Sequence, residues 1–164
     1  MRDESFRAEF TAIVASLDYP MYIVTTAVEG ERAGCLVGFA TQTSIRPSDF
    51  LVGLSRRNHT FRVALGARAL AVHRPPVDRL WLAELFGGET GDEIDKFARC
   101  SWHEGPESLP LLDDCPSWFA GRILDRVDLG DHMGYRLEVL AACHDPGPCL
   151  TYQQVRHIVA GHEP

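Results

Sequence analysis

A mainly β fold, a closed or half-closed antiparallel barrel with helices filling in around it, is predicted by three features of this sequence. Runs rich in β-branched and aromatic residues recur along the chain. Turn residues separate them at short intervals. Two long strand-like runs, residues 118–127 and 133–142, are joined by Asp128-Leu129-Gly130-Asp131-His132, with Gly and Asp where a hairpin turn needs them. Closure is the economical arrangement for so many strands, because it removes exposed edges that invite aggregation.

The elements follow in order. Phe6, Phe10, Ile13, Val14 and Leu17 recur at helical spacing, and Asp18-Tyr19-Pro20 then stops the helix. MYIVTTAV, residues 21–28, reads as a strand, and EGER, residues 29–32, as the turn of a hairpin whose second arm is GCLVGFATQTSI, residues 34–45. Residues 50–54 make a short apolar strand, 60–67 a helix with Phe61 and Leu65 on one face, and 69–73 another buried strand. Residues 78–86 and 91–97 are expected to be helical, separated by a GGET turn, while Pro106, Pro110 and Pro116 break up an irregular stretch. The tail, residues 149–159, fits either a strand or a short helix.

Composition narrows the function classes. A chain of 164 residues fits one domain, here residues 1–164. Hydrophobic residues at 45% and charged residues at 24% are near globular averages, and no apolar run is long enough to cross a bilayer. The N-terminal MRDESFRAEF has no apolar signal-like core, so a soluble, cytoplasmic protein is expected. Five cysteines, Cys35, Cys100, Cys115, Cys143 and Cys149, are odd in number with no CxxC pair, which suits reduced thiols and indicates neither a disulfide framework nor a zinc site. A formal charge of −7 argues against a nucleic-acid surface.

The stretch from Gly34 to Thr60 carries the chemistry. Two strand-like runs line an apolar slot, and the loop Ser55-Arg56-Arg57-Asn58-His59-Thr60 follows a strand and opens a helix, offering hydroxyls, an amide and cations to an anion. Such a layout meets the needs of a flavin nucleotide, a flat apolar ring bearing a phosphate. The plainer alternatives are a core strand with glycine at a close backbone approach, and a solvated basic turn with Asn58 or Thr60 as a helix cap.

The order YPMYIVTT, AGCLVGFATQTSIRP, FLVGLSRRNHTF, ELFGG with DKF, SLPLL and GDHMGYRLEVL resembles the flavin reductase-like family of the FMN-binding split β-barrel superfamily, over roughly residues 10–155. The resemblance implies a split antiparallel β-barrel with peripheral helices, a homodimer with flavin near the subunit interface, and reduction of FMN, with FAD as an alternative, by NADH or NADPH. Some members supply reduced flavin to a separate monooxygenase, so oxygen or a partner protein, a monooxygenase component among the candidates, is the implied electron acceptor. It also assigns the ring to the strand bearing Val37, Gly38, Phe39 and Ala40, with Gln42 and Ser44, and the FMN phosphate to Ser55, Arg56, Arg57, Asn58 and Thr60. Leu36, Val37 and Gly38 stand where many relatives carry small polar residues, which leaves ring contacts mainly to backbone groups. His132 of the GDH turn is implied to lie near flavin and nicotinamide; its alternative is a turn histidine packed at a barrel rim.

Other motifs point elsewhere or nowhere. Gly87-Gly88-Glu89-Thr90-Gly91 lacks the Lys-Ser/Thr of a phosphate loop and reads as a turn between helices. Cys143, His144 and Cys149, with His157 and His162, do not form a tetrahedral ligand set, so no metal is expected. Trp81, Trp102 and Trp118 read as core or interface residues. No GxGxxG fingerprint is present, so nicotinamide use rests on the resemblance. Two further readings stay open: an FMN carrier or sensor without turnover, and a split barrel that takes a deazaflavin or haem.

Overall fold

Glu29 and Gly30 both have positive φ, 51° and 83°, the geometry of a two-residue hairpin turn matched to the twist of its strands. They fold β1 (Tyr22–Val28) onto β2 (Glu31–Val37), in register from Tyr22 opposite Val37 to Val28 opposite Glu31. The computed structural model describes residues 4–162. In it the remaining strands are β3 (Ala40–Ser44), β4 (Asp49–Ser55), β5 (Ala69–Arg74), the short pair β6 (Trp102–Glu104) and β7 (Pro110–Leu112), and the long hairpin β8 (Ser117–Asp128) and β9 (His132–Cys143). The helices are α1 (Glu4–Ser16), α2 (His59–Ala64), α3 (Leu80–Gly88) and α4 (Tyr152–Val155).

Seven strands form one antiparallel sheet in the order β2-β1-β5-β8-β9-β4-β3. Its two edges, β2 and β3, are consecutive in the chain, so the sheet curls until only Gly38 and Phe39 separate them. This is a split barrel, mainly antiparallel and not fully closed. Val24, Cys35, Val37, Val52, Leu54, Leu70, Val72, Tyr135 and Leu137 fill its interior. On β1 the neighbour Ile23 points the opposite way and is equally buried, packed with Leu82, Phe86, Phe97 and Leu112. The strand is thus covered on both faces, and its two buried threonines are satisfied, Thr25 Oγ1 donating to the Pro110 carbonyl and Thr26 Oγ1 to the Ala69 carbonyl.

Several sequence expectations need correction. Residues 34–45 are not one strand: a Cβ on Gly38 would stand 3.0 Å from the Tyr19 ring and 3.3 Å from Met21 Sδ, and the chain breaks there to change sheet edge. Residues 91–97 are not a helix but a turn followed by a 3-10 segment, Lys96–Arg99, with the Asp95 side chain accepting from the Phe97 N–H. The helix expected over residues 60–67 is shorter, beginning at His59 with Asn58 Oδ1 accepting from the Thr60 N–H and ending at Ala64. The irregular stretch contains the β6–β7 pair, with Pro110 opening β7, a position where its missing N–H is tolerated. The tail forms α4, entered through a Thr151–Gln154 capping box.

α1 has the expected apolar spacing, yet none of its residues is buried: Phe6, Phe10 and Ile13 are 57%, 64% and 60% exposed. Its C-terminal end is tied to α4 by Gln153, whose Nε2 donates to the carbonyls of Ala15 and Leu17.

Candidate functional site

The break between β2 and β3 opens into a cleft of about 370 Å³, inside the roughly 300–1,000 Å³ typical of ligand pockets. Val37, Gly38 and Phe39 form one wall, Gly53 and Ser55 of β4 with Asn58 the second, and His132 at the start of β9 its corner. Register explains the corner, since His132 lies opposite Ser55 in the β4–β9 ladder. Cys35 and Lys96 lie deeper. Phe86 and Gly87 at the end of α3, Glu89 and Thr90 just beyond it, Leu36, the rings of Tyr19 and Tyr152, Met21, and Ala160 with His162 complete the lining.

Of the residues singled out in the sequence, the structure brings Val37, Gly38, Phe39, Ser55, Asn58 and His132 together around this cleft. Ala40, Gln42 and Ser44 run up the edge strand β3 instead, with Gln42 Nε2 donating to the Ser44 carbonyl at 3.2 Å. Arg56 turns toward the β8–β9 hairpin: its Nη2 donates to Asp128 Oδ1 at 2.9 Å and its Nε to the Gly130 carbonyl at 2.8 Å. Arg57 is exposed. Thr60 sits behind the wall, 1% exposed, its Oγ1 making no hydrogen bond of good geometry.

His132 is held in place. Its Nδ1 is 2.7 Å from Asp131 Oδ1, and its ring lies 4.7 Å from that of Phe39. The same contact holds the Asp131 carboxyl below its usual range. Gly53 lets Phe39 lie close over β4, because a Cβ there would reach the Phe39 Cβ at 3.3 Å and His132 Cδ2 at 3.9 Å.

Lys96 and Cys35, missed in the sequence, form the polar floor. Lys96 Nζ donates to the carbonyls of Gly34 at 3.0 Å and Phe86 at 2.9 Å. Burial pushes its ammonium down, against the pull of Cys35 and Glu89. Burial likewise pushes the Cys35 thiol up, opposed by Lys96 and the Thr60 and Asn58 side chains. The DKF fragment signalled Lys96; nothing local signalled Cys35 or the tail residues.

These residues fit a flavin nucleotide. The apolar hollow walled by Gly38, Phe39, Gly53 and His132 suits a flat ring, and Ser55 with Asn58 offers a hydroxyl and an amide to the polar end of such a ligand. Comparison with known proteins decides the family. A model of the flavin reductase like domain matches residues 14–160. The chain belongs to the flavin reductase-like family. A curated relative, FMN reductase (NADH) RutF of Ancylobacter novellus, is 27% identical over 157 residues, covering 94% of this chain and 86% of that protein. Among solved structures, the NADH:FAD oxidoreductase SgcE6 of Streptomyces globisporus C-1027 superposes with a TM-score of 0.83 at 19% identity, covering 95% of this chain and 94% of the other. A flavin reductase domain protein of Arthrobacter sp. FB24 gives 0.81 at 22% identity, covering 90% and 91%. At these identities the solved structures establish the split-barrel fold of the flavin reductase-like family. Among the described residues no helix is long and apolar enough to cross a membrane, and no group of three or more His, Cys, Asp or Glu is placed to hold a metal.

Proposed function

We propose that this chain is an NADH-dependent FMN reductase that hands reduced flavin to a monooxygenase or another electron acceptor. The observation that carries the reading is the convergence of three distant segments, Gly38–Phe39, Ser55–Asn58 and His132, on one cleft of ligand size. The relatives named FMN reductase (NADH) support the donor and the flavin; FAD and NADPH are the alternatives the test separates.

When bound, FMN supplies an isoalloxazine that accepts a hydride from the dihydronicotinamide. The protein's part is geometry. Backbone groups at Gly38 and Phe39 meet the ring edge, Asn58 and Ser55 hold the phosphate side with Thr60 buried behind them, and the Phe39 and His132 rings form a wall that orients the donor and excludes water. Asp131 fixes the His132 imidazole through Nδ1, leaving Nε2 toward the donor. Lys96 holds the floor by linking β2 to the end of α3.

The working unit is a homodimer. A thirteen-residue helix is marginal alone in water, and α1 leaves its stripe of Phe6, Phe10, Ile13 and Leu17 uncovered within the chain, so a second copy is its natural cover. Sedimentation of the protein with Phe6 and Phe10 changed to Ser is expected to show monomers where the parent shows dimers. Five free cysteines fit the reducing cytoplasm.

Anaerobic mixing of the FMN-loaded protein with NADH and, separately, NADPH tests the activity through flavin absorbance. Rapid bleaching by NADH is expected. Bound FMN that stays oxidised with both donors would make the protein a carrier or sensor, and failure to bind FMN would point to a deazaflavin or haem.

A further inference from the structure

A flavin phosphate beside Ser55 and Asn58 needs a cation, and the two arginines of that loop do not bring one to the cleft. Arg56 is spent on Asp128 and the Gly130 carbonyl, Arg57 is exposed, and neither lines the cleft. Among the described residues that line it, Lys96 is the only lysine or arginine. Lys96 is 4% exposed, and of the three N–H donors of its ammonium two are used, on the carbonyls of Gly34 at 3.0 Å and Phe86 at 2.9 Å. It makes no ion pair among the described residues; Glu89, which also lines the cleft, pulls on it only from a distance. A buried ammonium without a carboxylate partner is costly unless a ligand brings the counter-charge.

We propose that Lys96 supplies the positive charge that receives the phosphate of the bound flavin, and so selects FMN over unphosphorylated riboflavin. This rests on the reading of the cleft as a flavin site. Position supports it. The Cys35 thiol feels Lys96 and also the side chains of Asn58 and Thr60, so the ammonium and the Asn58 amide share one neighbour on the cleft floor. Chemistry supports it as well. Asn58 spends its Oδ1 on the Thr60 N–H, which leaves its NH2 to donate, and Ser55 adds a hydroxyl. With the third Lys96 N–H these are donors suited to phosphate oxygens. The two carbonyls fix the ammonium before any ligand arrives, and its burial shields it from salt, so one lysine serves where exposed arginines serve poorly.

The test compares the full-length parent with Lys96→Met, which keeps the length of the side chain and removes its charge, and with Glu89→Gln, which removes the opposing carboxylate from a partly exposed position. Fluorescence titration reads the affinity for FMN and for riboflavin, and the phosphorus resonance of bound FMN across pH reads the ionisation of its phosphate. The parent is expected to prefer FMN and to hold the phosphate ionised to lower pH than in free FMN. In Lys96→Met, FMN affinity is expected to fall about tenfold and riboflavin affinity to stay level, with the phosphate ionisation returning toward that of free FMN. Glu89→Gln is expected to act the other way, strengthening FMN binding a few-fold and leaving riboflavin unchanged. Equal losses for the two ligands in Lys96→Met would make Lys96 a brace of the floor only and overturn the proposal. Should Lys96→Met fail to fold, the parent and Glu89→Gln decide: a parent that binds riboflavin as tightly as FMN, or holds a phosphate that ionises as it does in free solution, overturns the role of Lys96 and leaves the flavin site standing. A parent that binds neither ligand would overturn the flavin site itself, and the proposal with it.

Discussion

Arg56 fastens the loop that carries Asn58 to the turn that carries His132, with Nη2 on Asp128 Oδ1 at 2.9 Å and Nε on the Gly130 carbonyl at 2.8 Å. The backbone adds a third tie, from the Arg56 N–H to the Asp131 carbonyl at 3.0 Å. A cation spent on this bridge serves position more than it serves a phosphate. Arg56→Ala is expected to lower FMN affinity and turnover together, each by a few-fold, while costing less than about 1 kcal/mol of stability, because the pair is substantially exposed. Titration, steady-state rates and urea melts measure the three. A loss confined to affinity would make Arg56 a phosphate ligand instead.

Thr60 offers a cleaner probe of the phosphate side. Its buried Oγ1 lacks a good hydrogen bond, so replacing the hydroxyl by a methyl in Thr60→Val removes an unsatisfied group at nearly constant volume. Stability is expected to hold or rise slightly, and FMN affinity to fall a few-fold, since Thr60 lies behind the cleft wall and acts on the phosphate side through Asn58. Equal affinity in calorimetric titration would exclude Thr60 from the site.

His132→Ala is expected to slow hydride transfer roughly tenfold without abolishing it. The transfer needs orientation and dryness at that corner more than a titrating group. FMN affinity should change little. Single-turnover reduction by NADH separates the two effects, and an unaltered rate would remove His132 from the mechanism.

His73 lies away from the cleft and is expected to contribute to the acid limb of stability. Its Nδ1 faces the Ile23 carbonyl at 2.9 Å while Nε2 accepts from the Leu112 N–H at 3.1 Å, so the buried ring is the neutral Nδ1–H tautomer. Burial pushes its pKa down from 6.5 to about 4. The unfolded chain therefore takes up a proton in that window that the folded chain refuses. The stability this ring contributes is complete above about pH 6.5 and falls by about 3 kcal/mol on going down to pH 4. Denaturation across this range should show a flatter pH slope in His73→Gln than in the parent; parallel slopes would assign the effect to other groups.

Much of the fold is written in local sequence. The long hairpin is legible because Asp128, Gly130 and Asp131 supply turn chemistry between two β-rich runs, and Gly30 does the same for the first hairpin. The break at Gly38–Phe39 is not legible, since β propensity continues through residues 36–43 and the constraint comes from the Tyr19 ring across the fold. Residues 91–97 mislead for a similar reason. Ile94 and Phe97 have helical spacing, but Lys96 is claimed by carbonyls that include one 62 positions away. At the site, the SRRNHT loop and His132 stand out by composition. Cys35 and Lys96 matter only through contacts between distant segments, which no local pattern records.

The two-residue link between β2 and β3 also limits how the barrel moves. Val37 and Ala40 are three Cα steps apart, a reach of roughly 11 Å at most, so the two lips of the gap are hinged there by covalent bonds. Breathing of the barrel must then be wedge-shaped, smallest beside Phe39 and largest toward Glu31 and Ser44. The Phe39 end of the cleft is thereby the stiffest part of the opening, and its width is set by chain connectivity, with packing free to vary elsewhere.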